Sequence, residues 1–161
     1  MASLKNYGEL WATCKFRAEQ DIGSCNELGL LTNPDSLTGN WYLSTAEGGD
    51  EVGIDECAVA WHGRVAYKWE LNKWYNSKIM ISKDETMYGK MWPEGENEPS
   101  KWLTQEKLTS HFDEDGVGLI SYHCITYFDD VIVASSEESL VSKAVSPKGK
   151  LAISWGEIKS M

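Results

Sequence analysis

The chain has 161 residues, enough for one domain with its own core and no need of a disulfide or metal. Apolar residues are 42% of it, which excludes global disorder. Its 25 acidic and 15 basic residues give a net charge of −10, and no Lys/Arg cluster stands out, so the chain lacks the basic stripe that a nucleic-acid partner needs.

Strand patterns dominate from the start. Leu10, Ala12, Cys14, Phe16 and Ala18 alternate with Thr13, Lys15, Arg17 and Glu19, the period of a half-buried strand. Asp21 to Ser24 reads as a turn, Glu27 to Thr32 as a second strand, and NPDSLTGN as a loop. Trp41 to Thr45 is a third strand, with Trp41 and Leu43 on one face. The Gly-rich acidic stretch AEGGDEVGIDE reads as a loop or a poorly paired edge. Cys57 to Trp61 and Val65 to Trp69 flank His62-Gly63-Arg64, a pattern that predicts a β-hairpin.

Trp74 to Ser82 forms the next strand, with Tyr75, Ser77, Ile79 and Ile81 on one face. A KDE turn joins it to Thr86 to Trp92, where Met87, Gly89 and Met91 oppose Tyr88, Lys90 and Trp92. The loop PEGENEPSKW follows, then a short helix over Leu103 to Leu108, then two strands over Gly116 to Tyr122 and Ile125 to Ala134. Many short strands with almost no helical period predict an all-β antiparallel β-sandwich over residues 1–136. Residues 137–161 read as a linker and C-terminal tail, ending in the modestly apolar KLAISWGEIKSM.

Eight Trp and seven Tyr stand against three Phe; their large apolar rings with polar handles suit both sandwich cores and wet binding faces. The four cysteines permit two bridges, but no C-x-x-C spacing favours zinc. Cys14, Cys57 and Cys124 sit in apolar alternation and read as reduced core thiols, with Cys14–Cys25 the best bridge candidate. No apolar run reaches the roughly 18 residues of a membrane span, so no membrane insertion is expected. The opening MASLKNYGELW lacks the basic and apolar regions of a signal peptide. This leaves either a cytoplasmic chain or one whose leader lies outside this sequence.

The succession WYNSKIMI, MYGKMWPEGENEPSKW, GVGL and FDDVIV resembles the bacterial concanavalin A-like, laminin-G-like (LamG) β-jelly-roll domains, over residues from about 8 to 134. The resemblance implies a lectin-like or adhesive module of cell-surface or secreted proteins, in which a calcium ion is common. Such domains usually begin with a further acidic and aromatic segment and a strand pair. Here the chain opens almost directly on the strand at Leu10, which predicts a bare sheet edge and a homo-oligomer paired along it.

The resemblance also directs attention to Asp129 and Asp130. On a regular strand they point to opposite faces, so one carboxylate turns inward and needs a partner. The matching Asp in similar domains ligates calcium, a role carried to Asp130 with Asp129 beside it; Asp113, Glu114 and Asp115 form a weaker calcium candidate.

Sugars stack their C–H faces on aromatic rings while their hydroxyls seek polar partners. Trp92 and Trp102 bracket a Pro-stiffened loop carrying Glu94, Glu96, Asn97 and Glu98, and Trp92, Trp102, Glu96 and Asn97 are the candidate ligand rim. The alternative is that these Trp fold back over the core, and for Trp11 and Trp41 packing is the simpler role. No catalytic set is complete. GDEVGIDE does not match the E-x-D-x-x-E spacing of related laminarinase-type hydrolases, and His62, His111 and His123 show no metal-pair spacing. The sequence therefore predicts a non-catalytic recognition module for carbohydrate or a protein surface, with a structural, self-associating domain as the alternative.

Overall fold

The computed structural model describes residues 8–33, 38–45, 50–109 and 116–140. Eight strands follow in chain order: β1 (Leu10–Thr32), β2 (Trp41–Thr45), β3 (Glu51–Glu56), β4 (Ala60–Ala66), β5 (Tyr75–Ile81), β6 (Thr86–Pro93), β7 (Thr104–Lys107) and β8 (Gly116–Ala134). A 3₁₀ turn, Glu137–Leu140, ends the described chain. All pairings are antiparallel.

The two long strands explain how one hydrogen-bonded network makes two layers. β1 and β8 pair along nearly their whole lengths and carry each other from one layer to the next. In the first layer the order is β7, β6, β5, the N-terminal half of β1 and the C-terminal half of β8. In the second it is β4, β3, β2, the C-terminal half of β1 and the N-terminal half of β8. The molecule is thus a two-layer antiparallel sandwich of two five-stranded sheets. On the far side the edges β4 and β7 meet, where the Thr104 hydroxyl donates to the Gly63 carbonyl at 2.6 Å.

Alternation fills the space between the layers. Leu10, Ala12, Cys14, Phe16 and Ala18, then Leu28 and Leu30, keep β1 apolar on its inner face in both layers. Trp41, Leu43, Val52, Ile54, Tyr75, Ile79, Ile81, Met87 and Met91 complete the core. Gly89 is glycine for a reason of space: a Cβ there would lie 3.2 Å from Leu43 Cγ of the facing layer and closer still to its methyl. A void of about 10 Å³ lies beside Cys14 and Phe128. Cys14 is a buried free thiol whose titration burial pushes up to about 12, so the Cys14–Cys25 bridge is not formed. Cys57 and Cys124 are half-buried rather than core.

Several expected boundaries move. The stretch expected as an acidic loop or a poorly paired edge contains β3, a central strand between β2 and β4. A Cβ at Gly53 would lie 2.9 Å from the His62 carbonyl, so glycine serves close strand approach there rather than a loop. The hairpin is β3–β4, turned at Cys57–Val59 with Ala58 at φ 62. His62-Gly63-Arg64, expected as that turn, lies inside β4, where Gly63 takes φ 51 beside a register shift. The expected turn at Asp21 to Ser24 is absorbed as a register shift in continuous β1. The expected helix over Leu103 to Leu108 is strand β7, drawn out by pairing with β6. The last two expected strands are the single strand β8. Glu137–Leu140, assigned by composition to the linker, packs on the sandwich with Leu140 buried; residues 141–161 lie outside the described residues.

Candidate functional site

The outer face of the first layer is built by the polar halves of three alternations. β1 contributes Trp11, Thr13, Lys15 and Arg17; β5 contributes Asn76, Lys78 and Met80; β6 contributes Tyr88, Lys90 and Trp92. Lysines that look scattered in sequence are gathered here. Lys78 and Lys90 stand directly opposite across β5–β6, a repulsive arrangement unless an anion intervenes.

The loop after β6 supplies it. Glu98 Oε1 lies 2.8 Å from Lys78 Nζ and 2.7 Å from Lys90 Nζ. Lys90 Nζ also donates to the Pro99 carbonyl at 2.8 Å. Trp102 folds back between Trp11 and Tyr88, with ring centroids 5.9 and 5.7 Å away, and Lys90 lies over its face at 4.7 Å. The loop is therefore clamped onto the sheet by one carboxylate and one indole. Burial alone would raise the Glu98 carboxyl, but hydrogen bonds from Lys78 and Lys90 outweigh it and hold the group below its ordinary value. Burial would likewise lower the Lys78 ammonium, yet Glu137 and Glu98 overcome it and raise it.

Beside this clamp an open groove of about 330 Å³ is lined by Thr13, Lys78, Trp92, Glu98, Glu137 and Leu140. Trp92 and Leu140 are its apolar sides. Lys78 forms its charged floor, bonded to Glu98 and, at 2.6 Å, to Glu137. The 3₁₀ turn thus brings both a carboxylate and an apolar wall to the site.

The structure divides the expected ligand rim. Trp92 lines the groove; Trp102 packs into the clamp; Glu96 and Asn97 are exposed at the loop tip and do not line the groove. Glu98, Lys78, Glu137 and Leu140 were not singled out as a set. Counting outward from the Ser82–Thr86 turn pairs residue 78 with 90, so the need for an acid between them was available in principle; the return of Glu137 was not. Trp11 is buried under Trp102, and Trp41 is in the core, stacked on His62.

The Asp pair is placed differently from the regular-strand expectation. Asp130 sits at φ 50 beside a register shift, so neither carboxylate turns into the core; both are exposed. Asp130 pairs with Lys15 Nζ at 3.0 Å, and Lys15 also holds Glu94 at 2.9 Å. Asp129 Oδ1 accepts the Asp130 backbone N–H at 2.8 Å. Calcium wants six to eight oxygens; Asp130 is already held by the Lys15 ammonium and Asp129 by the Asp130 backbone N–H, and no group of three acidic, His or Cys side chains placed to hold a metal occurs among the described residues. Asp113, Glu114 and Asp115 lie outside the described residues. In β3, Glu51 pairs with Arg64, Asp55 faces outward beside Trp61, and Glu56 faces inward with His62 Nε2 at 3.5 Å.

No family model and no curated protein sequence matches the chain. Solved structures do resemble it. A functionally unknown protein from Saccharomyces cerevisiae aligns with TM-score 0.56 and 8% identity over 79% of this chain and 69% of its own. A Trypanosoma rangeli sialidase, in complex with 2,3-difluoro-KDN, aligns with TM-score 0.52 and 13% identity over 82% of this chain but only 21% of its own. The likenesses agree with a two-layer antiparallel β-sandwich. At these identities the likenesses speak to fold alone.

Proposed function

We propose that the protein is a non-catalytic recognition module of the concanavalin A-like, laminin-G-like kind, and that it takes a carbohydrate in the Trp92–Leu140 groove. The observation that carries this reading is the groove's chemistry: an indole and a Leu side chain beside two carboxylates and an ammonium. An apolar wall suits a sugar's C–H face, and the charged groups suit its hydroxyls. The clamped loop favours binding because little chain has to be ordered when a ligand arrives. A non-catalytic role is supported by the β3 acids' alternation between the two faces of the strand, with Glu51 already engaged by Arg64. Retaining hydrolysis needs a carboxylate pair about 5 Å apart across one substrate bond. A place at a cell surface or outside the cell belongs to the same proposal, and rests on the laminin-G-like resemblance alone.

The test is a glycan array probed with the full chain, with and without calcium, followed by tryptophan fluorescence titration of each hit. A glycan that quenches Trp fluorescence, equally well in chelator, and loses at least about ten-fold in affinity for Trp92→Ala is expected. An array without hits for folded protein refutes the sugar reading.

A further inference from the structure

β8 is 19 residues long, and among the described residues it pairs with β1 alone. It is therefore the outer edge of both layers, while β1 is flanked on both sides. A free edge presents unpaired backbone N–H and C=O groups, which proteins guard with short length, Lys, Pro, bulges or inward charges. β8 is long and contains no Lys, Arg or Pro. Its guard is confined to one place, the Asp129-Asp130 bulge; from Gly116 to Phe128 it has no Asp or Glu either.

Exposed apolar surface is concentrated there. Of nine large apolar side chains exposed among the described residues, seven lie on β8, at 39% to 56% exposure. Register assigns them to faces. Val117, Leu119 and Val133 oppose the core residues Leu30, Leu28 and Ala12, so they stand at the open mouth between the layers. Tyr122 and Ile125 lie on the outer face, opposite Cys25 and Gln20.

We propose that this edge is the interface between two copies of the chain. A two-fold axis normal to the layers sets β8 antiparallel to its mate, so that each layer continues into the partner's and the two mouths close on each other. The seven exposed apolar residues of β8 together present roughly 600 Å², their own backbone atoms included, against roughly 800 Å² per partner for a stable interface. Charge favours a second copy at this place. At net −10 two copies repel over most of their surface, and the Gly116–Phe128 stretch is where they do not. An uncharged apolar edge is also complementary to itself.

Sedimentation velocity on the full chain over about a hundred-fold concentration range tests this. A dimer is expected, with Leu119→Lys and, separately on the other face, Ile125→Lys weakening association by at least about ten-fold while far-UV circular dichroism stays unchanged. Amide exchange across Gly116–Phe128 should slow as dimer forms. A chain that stays monomeric throughout, including one whose β8 amides are already protected by its own residues, overturns the proposal. So does a dimer that both lysines leave intact.

Discussion

Glu98 decides how the first layer's outer face holds together. Lys78 and Lys90 are each 7% exposed in their side chains; without Glu98 no carboxylate bridges them, and Lys90 is left to the Pro99 carbonyl and the Trp102 face while Lys78 keeps Glu137. Removing one partner of a desolvated ion pair costs more than the pair contributes, because the remaining charge is left uncompensated. Glu98→Ala should lower stability by about 1–3 kcal/mol in denaturant titration, the part-exposed carboxylate keeping it below a fully buried pair. The acid side of the pH profile has the same origin. A carboxyl held below its ordinary value contributes stability above that value and loses it as pH falls through the lowered one. Lys78, raised, contributes fully below the ordinary Lys value and loses it only as pH rises through the raised one. The loop should therefore dock most firmly between about pH 5 and 10 and release first in acid, read by Trp fluorescence. Glu98→Gln should flatten that acid limb; an unchanged limb would assign it elsewhere.

At the scale of elements, the seam between β4 and β7 closes the sandwich opposite the β1–β8 ribbon. It depends on Gly63, at φ 51, and on the Thr104 hydroxyl that reaches its carbonyl. Thr104→Ala should cost about 1 kcal/mol, one hydrogen bond with its acceptor left to water. Gly63→Ala should cost about 2 kcal/mol or more, since its Cβ adds a left-handed backbone penalty to a collision with the Thr104 hydroxyl. A Gly63→Ala protein as stable as the parent would mean the seam is open in solution. The same elements show where sequence reading succeeds. In β1, β5 and β6 one face is core and the other polar, so alternation placed Leu10 to Ala18, Tyr75 to Ile81 and Met87 to Met91 correctly. β3 was hidden because Gly53 and three acids break its apolar pattern, although β2 and β4 pair it on both sides. β7 was hidden because TQEK has helix-forming composition and only its pairing with β6 makes it a strand. β8 looked like two strands because its inner face shifts from Val117 and Leu119 to Phe128 as it crosses between layers. The outward side of Trp92 was legible from the alternation in β6, whereas Glu137 and Leu140 reach the same groove from a distant turn that no local pattern ties to β6.

The whole molecule separates the two proposed interaction surfaces. The β1–β8 ribbon places the groove on the broad outer face of the first layer and the apolar edge along the side shared by both layers. Edge-to-edge pairing would leave the groove open, so each copy keeps a binding site while the pair gains in avidity for a repeated ligand. Chemical-shift mapping of the full chain with a glycan hit tests the central claim most directly. Perturbations centred on Thr13, the Trp92 indole N–H and Glu137–Leu140 are the expected result; shifts confined to β8 or to the Cys57–Val59 turn, with the groove silent, would contradict it.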